Sequence, residues 1–265
     1  MKRKYMYYMI LFFAAHIISG CNWVREQLVP TSYIKSKIDP DFVRTSYFIG
    51  KTCLGTNPAD QMVLVGNICV DRYEASLWTA LKDGKQIMNP KTACNINGSD
   101  CIGKIFALSI NHVSPSSNIT WFQASAACAS SGKRLLTNSE WQAAALGTND
   151  NSTNCNISGS AASITGKNQC VSSTGIENMI GSLSEWVADW SQSNSRNDGG
   201  EFSRAEFGED KVAGIDEASP ESFRLPAAFL RGGSFEDKKG AGMFTIDVQN
   251  APVRARETIG FRCAR

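Results

Sequence analysis

The chain has 265 residues, of which 42% are hydrophobic and 20% are charged, as in an ordinary globular protein with a sizeable core. Its formal net charge is +2, and without the three basic residues at positions 2–4 the chain has 24 basic against 25 acidic residues. This balance excludes the strongly basic surface that nucleic-acid binding requires, so we expect no nucleic-acid partner.

The first 20 residues have the pattern of an export signal. Basic residues at positions 2–4 precede an apolar stretch over residues 5–18 and two small residues. The apolar stretch is shorter than a bilayer span needs, which argues against a permanent transmembrane helix. Residues 18–21, Ile-Ser-Gly-Cys, resemble the lipobox of bacterial lipoproteins, which implies that Cys21 is acylated and anchors the chain to a membrane. An ordinary cleaved signal with a chance cysteine is the alternative.

We therefore expect three segments along the chain. These are a lipoprotein signal peptide over residues 1–20, a membrane tether over residues 21–50, and one domain over residues 51–265. The tether is expected because residues 22–50 lack periodicity and contain two prolines. The expected location is the cell envelope, with the lipid-anchored domain facing the periplasm or the exterior, on the outer membrane if the organism has one.

The cysteine count agrees with export. The chain has nine cysteines, and assigning Cys21 to the lipid leaves eight, an even number that suits a disulfide framework outside the cytoplasm. No two cysteines form a Cys-x-x-Cys pair, and His112 is the only histidine after the signal, so a zinc site is not expected. We expect three local disulfides, Cys53–Cys69, Cys94–Cys101 and Cys155–Cys170.

The elements of the domain begin with a predicted hairpin. Met62–Val65 and Ile68–Val70 are two short apolar runs joined by Gly66-Asn67, with glycine at the first turn position. Residues 82–118 are predicted to be a loop-rich insertion that the Cys94–Cys101 link staples.

Two helices are predicted next. Thr120 is the expected N-cap of a helix that runs through Cys128 and ends at Gly132. The segment from Thr137 to Glu140 is a capping box that begins a second helix, over residues 138–146, stopped by a glycine.

The rest of the chain is predicted to be mostly loop. Residues 148–175 and 191–222 are polar and are expected to be surface loops, the first clipped by the Cys155–Cys170 link. Short strands are expected over Phe229–Phe235 and Ile259–Ala264. Few long elements and many loops favour an α+β domain.

Three sequence segments carry a resemblance to a known family. The first, Ile119–Trp141, begins Ile-Thr-Trp and ends Gly-Lys-Arg-Leu-Leu-Thr-Asn-Ser-Glu-Trp. The second, residues 178–190, reads Asn-Met-Ile-Gly-Ser-Leu-Ser-Glu-Trp-Val-Ala-Asp-Trp. The third, residues 230–235, reads Leu-Arg-Gly-Gly-Ser-Phe, and Gly-Phe-Arg-Cys-Ala follows at 260–264. In this order and spacing, they resemble the formylglycine-generating, or sulfatase-modifying, enzyme family.

The resemblance implies a loop-rich, disulfide-braced α+β domain with the formylglycine-generating-enzyme-like variant of the C-type lectin fold. It also implies a disulfide between Cys128 and Cys263, which would pin the C-terminus to the first helix. Most of the tryptophans in these segments are expected to pack in the core.

The residues that bind the catalytic copper in the family are absent from the matching positions of this sequence. Family enzymes oxidise a substrate cysteine with copper(I) held by two cysteines after Gly-Gly-Ser, and those positions correspond here to Asp237 and Gly242. Ser234 matches a substrate-pocket serine. Copper is therefore not expected, and the chain is expected not to be an enzyme of this type. A general acid–base site that combines Asp237 with Glu236, Asp247 and Arg254 is a weaker alternative to a solvated surface.

Calcium is the one candidate cofactor. The resemblance places Ser182 and Glu185, with the carbonyl of Leu183, at one family calcium site, and Asn156 and Ile157 at part of another. Calcium prefers six or more oxygen ligands, so replacing an asparagine of the family by Ser182 should weaken the first site. Pairing of Glu185 with a backbone amide or an arginine is the open alternative.

The expected function is that of a non-catalytic envelope lipoprotein that binds an unknown protein or glycan ligand. The candidate ligand face consists of Ser234, Asp237, Gly242 and Arg254, within residues 235–256, where variable surface proteins diversified by retroelements also resemble the chain. The alternative is a copper-dependent oxidoreductase of the formylglycine-generating type with a rearranged site. An accessory subunit of another envelope protein is a weaker third interpretation.

Overall fold

The computed structural model describes residues 47–48, 51–149, 153–167, 169–191, 212–213 and 227–265. The signal peptide, Cys21, all of the tether except residues 47 and 48, and most of the polar stretch 191–222 lie outside the described residues. Neither of the two described helices has the length and apolar character that a bilayer span needs.

The described part of the chain begins with two antiparallel hairpins, the first of which includes the last residues of the predicted tether. Strands β1 (Tyr47–Phe48) and β2 (Lys51–Thr52) form the first, and β3 (Met62–Val65) and β4 (Ile68–Asp71) form the second. The second is the predicted hairpin. Gly66 in its turn has a φ of 59°, a conformation that glycine adopts without steric cost.

The insertion over residues 82–118 contributes one strand to a small sheet. Strand β5 (Ser76–Trp78) pairs antiparallel with β6 (Phe106–Leu108). A short 3-10 helix covers Pro90–Thr92 between them. The prediction of a loop-rich insertion misses β6, because a strand of three residues has too few positions to display an alternating pattern.

Both predicted helices are present. Helix α1 (Trp121–Ser130) is capped by Thr120, whose hydroxyl accepts from the amide of Gln123 while the Gln123 side chain reaches back. Strand β7 (Arg134–Leu135) follows. Helix α2 (Asn138–Ala145) starts with the predicted capping box, and its C-cap is the last residue of the predicted range.

The C-terminal half forms a five-stranded sheet with the order β12-β8-β10-β11-β9. Its strands are β8 (Ser184–Ser191), β9 (Val212–Ala213), β10 (Ala227–Arg231), β11 (Ile246–Asn250) and β12 (Ile259–Phe261). The final strand, β13 (Cys263–Ala264), belongs to a four-stranded sheet with the order β3-β4-β13-β7.

Three sequence predictions need correction here. The strand predicted over Phe229–Phe235 ends at Arg231, because Gly232 and Gly233 both have positive φ angles and turn the chain. The strand predicted over Ile259–Ala264 is interrupted at Arg262 into two strands that join different sheets. Strands β8 and β11 were not predicted, although β8 is the longest strand described.

The tryptophans occupy two adjoining cores, as the sequence predicts for most of them. Trp186 lies among α1, β10 and β12, while Trp141 lies among α2, β3 and β4. Trp121 and Trp190 are half-buried and meet edge to face, with ring centroids 5.0 Å apart. Such pairs add packing energy beyond the area that they bury.

Four disulfides brace these elements, and they are the pairs named in the sequence analysis. Cys128–Cys263 joins α1 to the last strand across 135 residues of sequence. The other three, Cys53–Cys69, Cys94–Cys101 and Cys155–Cys170, close short loops.

Candidate functional site

The candidate ligand face follows a double-glycine turn that ends β10. Gly232 and Gly233 have φ angles of 84° and 73°. A Cβ atom at Gly232 would lie 2.6 Å from the carbonyl oxygen of Met179, and one at Gly233 would lie 2.7 Å from the Cα of Ala241. Only glycine fits both positions, so the turn is fixed by the absence of side chains.

The next turn joins two residues of the predicted ligand face. The Oδ2 atom of Asp237 accepts hydrogen bonds from the Ser234 amide at 2.8 Å and from the Ser234 hydroxyl at 2.9 Å. Ser234 is buried and Asp237 is half-buried. These bonds commit the Asp237 carboxylate to closing a backbone turn, a common use of aspartate.

Gly242 lies against the same turn through its backbone. Its amide donates to the carbonyl of Gly232 at 3.2 Å, and the amide of Phe235 donates to the carbonyl of Ser182 at 3.0 Å. The four predicted face residues are therefore not all in contact. Arg254 instead donates to the side chain of Asn250 at 2.7 Å, at the end of β11.

Arg231 is a supporting residue that sequence reasoning missed. Its guanidinium donates to the carbonyls of Thr245 at 2.8 Å and Met243 at 3.0 Å, and also to the side chain of Gln142. It lies over the Trp141 ring at 4.4 Å from the centroid. The residue therefore fixes the 243–245 loop to α2. The Arg-Gly-Gly-Ser segment could have pointed to Arg231, but a sequence motif does not show which carbonyls its guanidinium contacts.

The described contacts do not bring the residues of the acid–base alternative together in one cleft. Asp237 binds Ser234, Asp247 accepts from the amide of Gln249, and Arg254 binds Asn250. Each side chain is engaged with residues close to it in sequence, as expected for a solvated polar surface.

A groove of about 310 Å³ lies beside the ligand face. Phe235 forms part of its wall, and the groove is rich in small hydroxyl and amide side chains. Its lining includes Ser117 and Asn118. A concave surface with a mixed polar and apolar lining is the usual form of a binding site.

Beneath the ligand face lies a buried charge network that involves Glu185. Arg262 donates to both Glu185 oxygens from Nε at 2.9 Å and to one of them from Nη2 at 2.6 Å, and the Trp141 indole donates to Oε2 at 2.8 Å. Glu185 therefore has the arginine partner that the sequence analysis left open. Both charged side chains are about 1% exposed.

Glu74 is a second buried carboxylate in this network. It accepts from the Ser182 hydroxyl at 3.0 Å, the Leu183 amide at 2.9 Å and the Asn178 side chain at 3.1 Å. Burial, reinforced by the nearby negative charge of Glu185, raises the pKa of Glu74 to about 8.

These contacts are a poor fit to calcium. The Glu185 carboxylate already faces an arginine and an indole donor, and the Ser182 hydroxyl binds Glu74. The carbonyls of Asn156 and Ile157 accept from the amides of Ser182 at 2.7 Å and Lys238 at 2.6 Å. A calcium ion would need oxygens turned toward one centre, so no step below depends on it.

Copper(I) fits no better, because its thiolate ligands are missing from the position that the resemblance assigns. The matching residues are a turn-closing carboxylate at Asp237 and a glycine at 242. Cysteines from 53 onward all form disulfides. One cluster of potential metal ligands among the described residues, Asp100 with Cys94 and Cys101, contains the two sulfurs of such a bond.

A comparison with models of known protein families identifies the family of this chain. The model of the sulfatase-modifying factor enzyme 1-like domain matches residues 81–265, about 70% of the chain. The chain belongs to this family. The match includes the double-glycine turn, Asp237, Gly242 and the buried pair of Glu185 with Arg262.

Several solved structures are similar to this sulfatase-modifying-factor-like domain, with TM-scores below 0.5. The U1 variant of the Major Tropism Determinant is 20% identical, with a TM-score of 0.46 and coverage of 79% of this chain and 53% of its own. Variable protein 1 of Treponema denticola is 17% identical, with a TM-score of 0.43 and coverage of 78% and 99%. PvdO from Pseudomonas aeruginosa is 19% identical, with a TM-score of 0.37 and coverage of 57% and 62%.

Because the chain belongs to the sulfatase-modifying-factor family, its fold is the formylglycine-generating-enzyme-like variant of the C-type lectin fold. The chain spans about half the length of the Major Tropism Determinant variants that it matches. No curated protein sequence matches the chain.

Proposed function

We propose that this protein is a non-catalytic lipoprotein of the cell envelope, whose family domain binds a protein or glycan ligand through the ligand face. The observation that carries the proposal is the replacement of the expected copper ligands. Asp237 closes a turn with Ser234, Gly242 offers no side chain, and the domain's cysteines are held in disulfides. Copper(I) chemistry requires soft thiolates, which a carboxylate cannot replace.

The surface around this turn suits binding. Phe244 is 40% exposed, and Glu236, Lys238 and Lys239 are exposed nearby in sequence. An exposed aromatic ring among charges of both signs is typical of protein recognition surfaces. The adjoining groove adds hydroxyl and amide groups from Ser117 and Asn118 that suit a polar ligand.

The envelope location is proposed from the sequence. The lipobox-like residues before Cys21 and the export signal support a lipid anchor, with residues 21–50 as tether and residues 51–265 as the exposed domain. Four disulfides suit an oxidising compartment such as the periplasm or cell exterior. The partners are then the membrane, through the lipid, and the ligand of the domain.

The first experiment separates this proposal from the oxidoreductase alternative. The purified, non-reduced protein is denatured and its free thiols are titrated, and the folded protein is assayed for bound copper and for aldehyde formation on a thiol peptide. We expect no free thiol in the domain, no stoichiometric copper and no aldehyde. Two reactive thiols with stoichiometric copper and aldehyde product would establish the oxidoreductase instead.

The second experiment tests the ligand face directly. Glycan and peptide arrays are probed with the wild-type domain and with Phe244→Ser and Lys239→Glu variants, which we expect to lose binding. Ile102→Ser is the matched control, because Ile102 is 64% exposed but belongs to the insertion, outside the face. Equal loss in the control and the face variants would contradict the assignment of the ligand face.

A further inference from the structure

Lys133 lies between two carboxylates in the protein interior. Its Nζ atom is 2.7 Å from Oδ1 of Asp60 and 2.7 Å from Oδ1 of Asp71. None of the three side chains is exposed to solvent. Burial of three charged groups carries a large desolvation penalty, which the attraction within the group repays only in part. A reaction that removes two of the charges would relieve that penalty.

The two carboxylates have different surroundings. Asp60 accepts further hydrogen bonds from the Ser109 amide at 2.8 Å, the Thr56 amide at 2.7 Å and the Thr56 hydroxyl at 3.0 Å. Donors of this kind stabilise the carboxylate anion. Asp71 accepts only one further hydrogen bond among the described contacts, from the Cys263 amide at 3.0 Å. Burial raises the pKa of Asp71 to about 6, so its carboxylate binds a proton more tightly than an exposed aspartate does.

We propose that Lys133 and Asp71 condense to form an intramolecular amide bond. A proton first passes from the Lys133 ammonium to the Asp71 carboxylate, which leaves a neutral amine beside a carboxylic acid. The amine attacks Cγ of Asp71, Asp60 takes a proton from the attacking nitrogen and delivers it to the departing hydroxyl, and one water leaves. A C–N bond replaces a C–O bond, and no oxidant or cofactor is required.

The surroundings supply what this reaction needs. The Cys263 amide points at Oδ2 of Asp71, where negative charge develops during the attack, and a fixed donor there stabilises the transition state. Full burial excludes bulk water, which favours condensation over hydrolysis. The reacting groups are already at hydrogen-bond distance, so little entropy is lost on reaching the reactive geometry.

The bond would join two strands that flank the C-terminal strand. Asp71 ends β4 and Lys133 directly precedes β7, and both strands pair with β13, where Ala264 faces Val70 and Arg134. The amide would therefore enclose β13 between covalently linked neighbours, in addition to the Cys128–Cys263 disulfide. This modification is independent of the ligand face and would keep the sheet linked after reduction of the disulfides.

Mass spectrometry of the full chain tests the proposal. Wild-type protein and a Lys133→Arg variant are reduced and their intact masses are compared. Arginine keeps the positive charge but cannot form the amide. We expect the wild type to be lighter than the variant by the residue difference plus one water molecule. Digestion should yield a branched peptide that joins Lys133 to Asp71.

A second measurement covers the case in which the variant fails to fold. The wild-type protein is denatured and its amines are labelled. We expect Lys133 to resist labelling while the exposed Lys104 reacts. An unmodified mass with Lys133 labelled as fully as Lys104 would overturn the proposal. A branched peptide that joins Lys133 to Asp60 would also overturn the assignment of Asp71.

Discussion

Glu185 and Arg262 form an ion pair of 2.6 Å that is sealed from solvent at the point where the chain leaves one sheet for another. Glu185 belongs to β8 of the five-stranded sheet, and Arg262 separates β12 from β13. The arginine also donates to the carbonyls of Asp71 and Glu177 at 3.0 Å and 2.8 Å. One side chain therefore satisfies backbone groups from both halves of the domain.

We expect Arg262→Met to destabilise the domain by about 3–5 kcal/mol, because it leaves the buried Glu185 carboxylate without its charged partner. Urea unfolding monitored by tryptophan fluorescence measures the change. The double variant Glu185→Gln with Arg262→Met serves as the control. Because the double variant no longer has the unpaired Glu185 charge, we expect it to be more stable than Arg262→Met alone. A double variant that is less stable than Arg262→Met would contradict this explanation.

Glu74 should make the domain less stable at alkaline pH. Its pKa is about 8 in the folded protein, against 4.5 for an ordinary exposed glutamate, so the folded state holds a proton that the unfolded state loses. The free energy of unfolding contributed by this group therefore falls as the pH rises between these two values.

We expect Glu74→Gln to flatten this dependence, because glutamine keeps an acceptor oxygen and cannot ionise. The midpoints of urea unfolding at pH 5 and pH 8 are compared for wild type and variant. The variant should gain stability relative to the wild type as the pH rises. A parallel pH dependence in both proteins would show that Glu74 does not retain its proton on folding.

The Cys128–Cys263 disulfide should contribute more to the free energy of unfolding than the Cys94–Cys101 disulfide. Cys128 and Cys263 are 135 residues apart, whereas Cys94 and Cys101 are 7 apart. In the chain-entropy description, removing the first costs about 5 kcal/mol and removing the second about 2 kcal/mol. Paired serine variants of each disulfide are compared by urea unfolding. Equal losses would mean that loop entropy in the unfolded chain does not dominate.

The double-glycine turn should be sensitive to a single methyl group. Gly232→Ala places a Cβ 2.6 Å from the Met179 carbonyl oxygen, whereas Gly103→Ala meets nothing within 4 Å although its φ is also positive. The control should lose about 1 kcal/mol from backbone strain alone. Gly232→Ala should lose about 3 kcal/mol or more, since the clash with backbone adds to the strain. Similar melting temperatures for the two variants would remove the steric argument.

Calcium should have no effect on stability. The oxygens of Glu185 and Ser182 already bind Arg262 and Glu74, so we expect equal melting temperatures in calcium and in a chelator. If calcium raises the melting temperature of the wild type but not that of a Glu185→Gln variant, an ion binds at this site and the prediction is wrong.

The sequence by itself determined the locally encoded features of this protein. The Gly66 turn, the Thr120 cap and the capping box from Thr137 to Glu140 each depend on hydrogen bonds or backbone angles within a few residues. The family followed from ordered segments such as Arg-Gly-Gly-Ser. The same segments predict that Asp237 and Gly242 stand where enzymes of the family have their copper-binding cysteines.

Only the tertiary structure decided which buried charges meet. Glu185 lies in a strand that the sequence did not predict, because a buried glutamate breaks the alternation that identifies a strand. Its partner Arg262 is 77 residues away in sequence, and Lys133 is 73 residues from Asp60 and 62 from Asp71. Such pairs depend on how the sheets pack, so no local pattern along the chain encodes them.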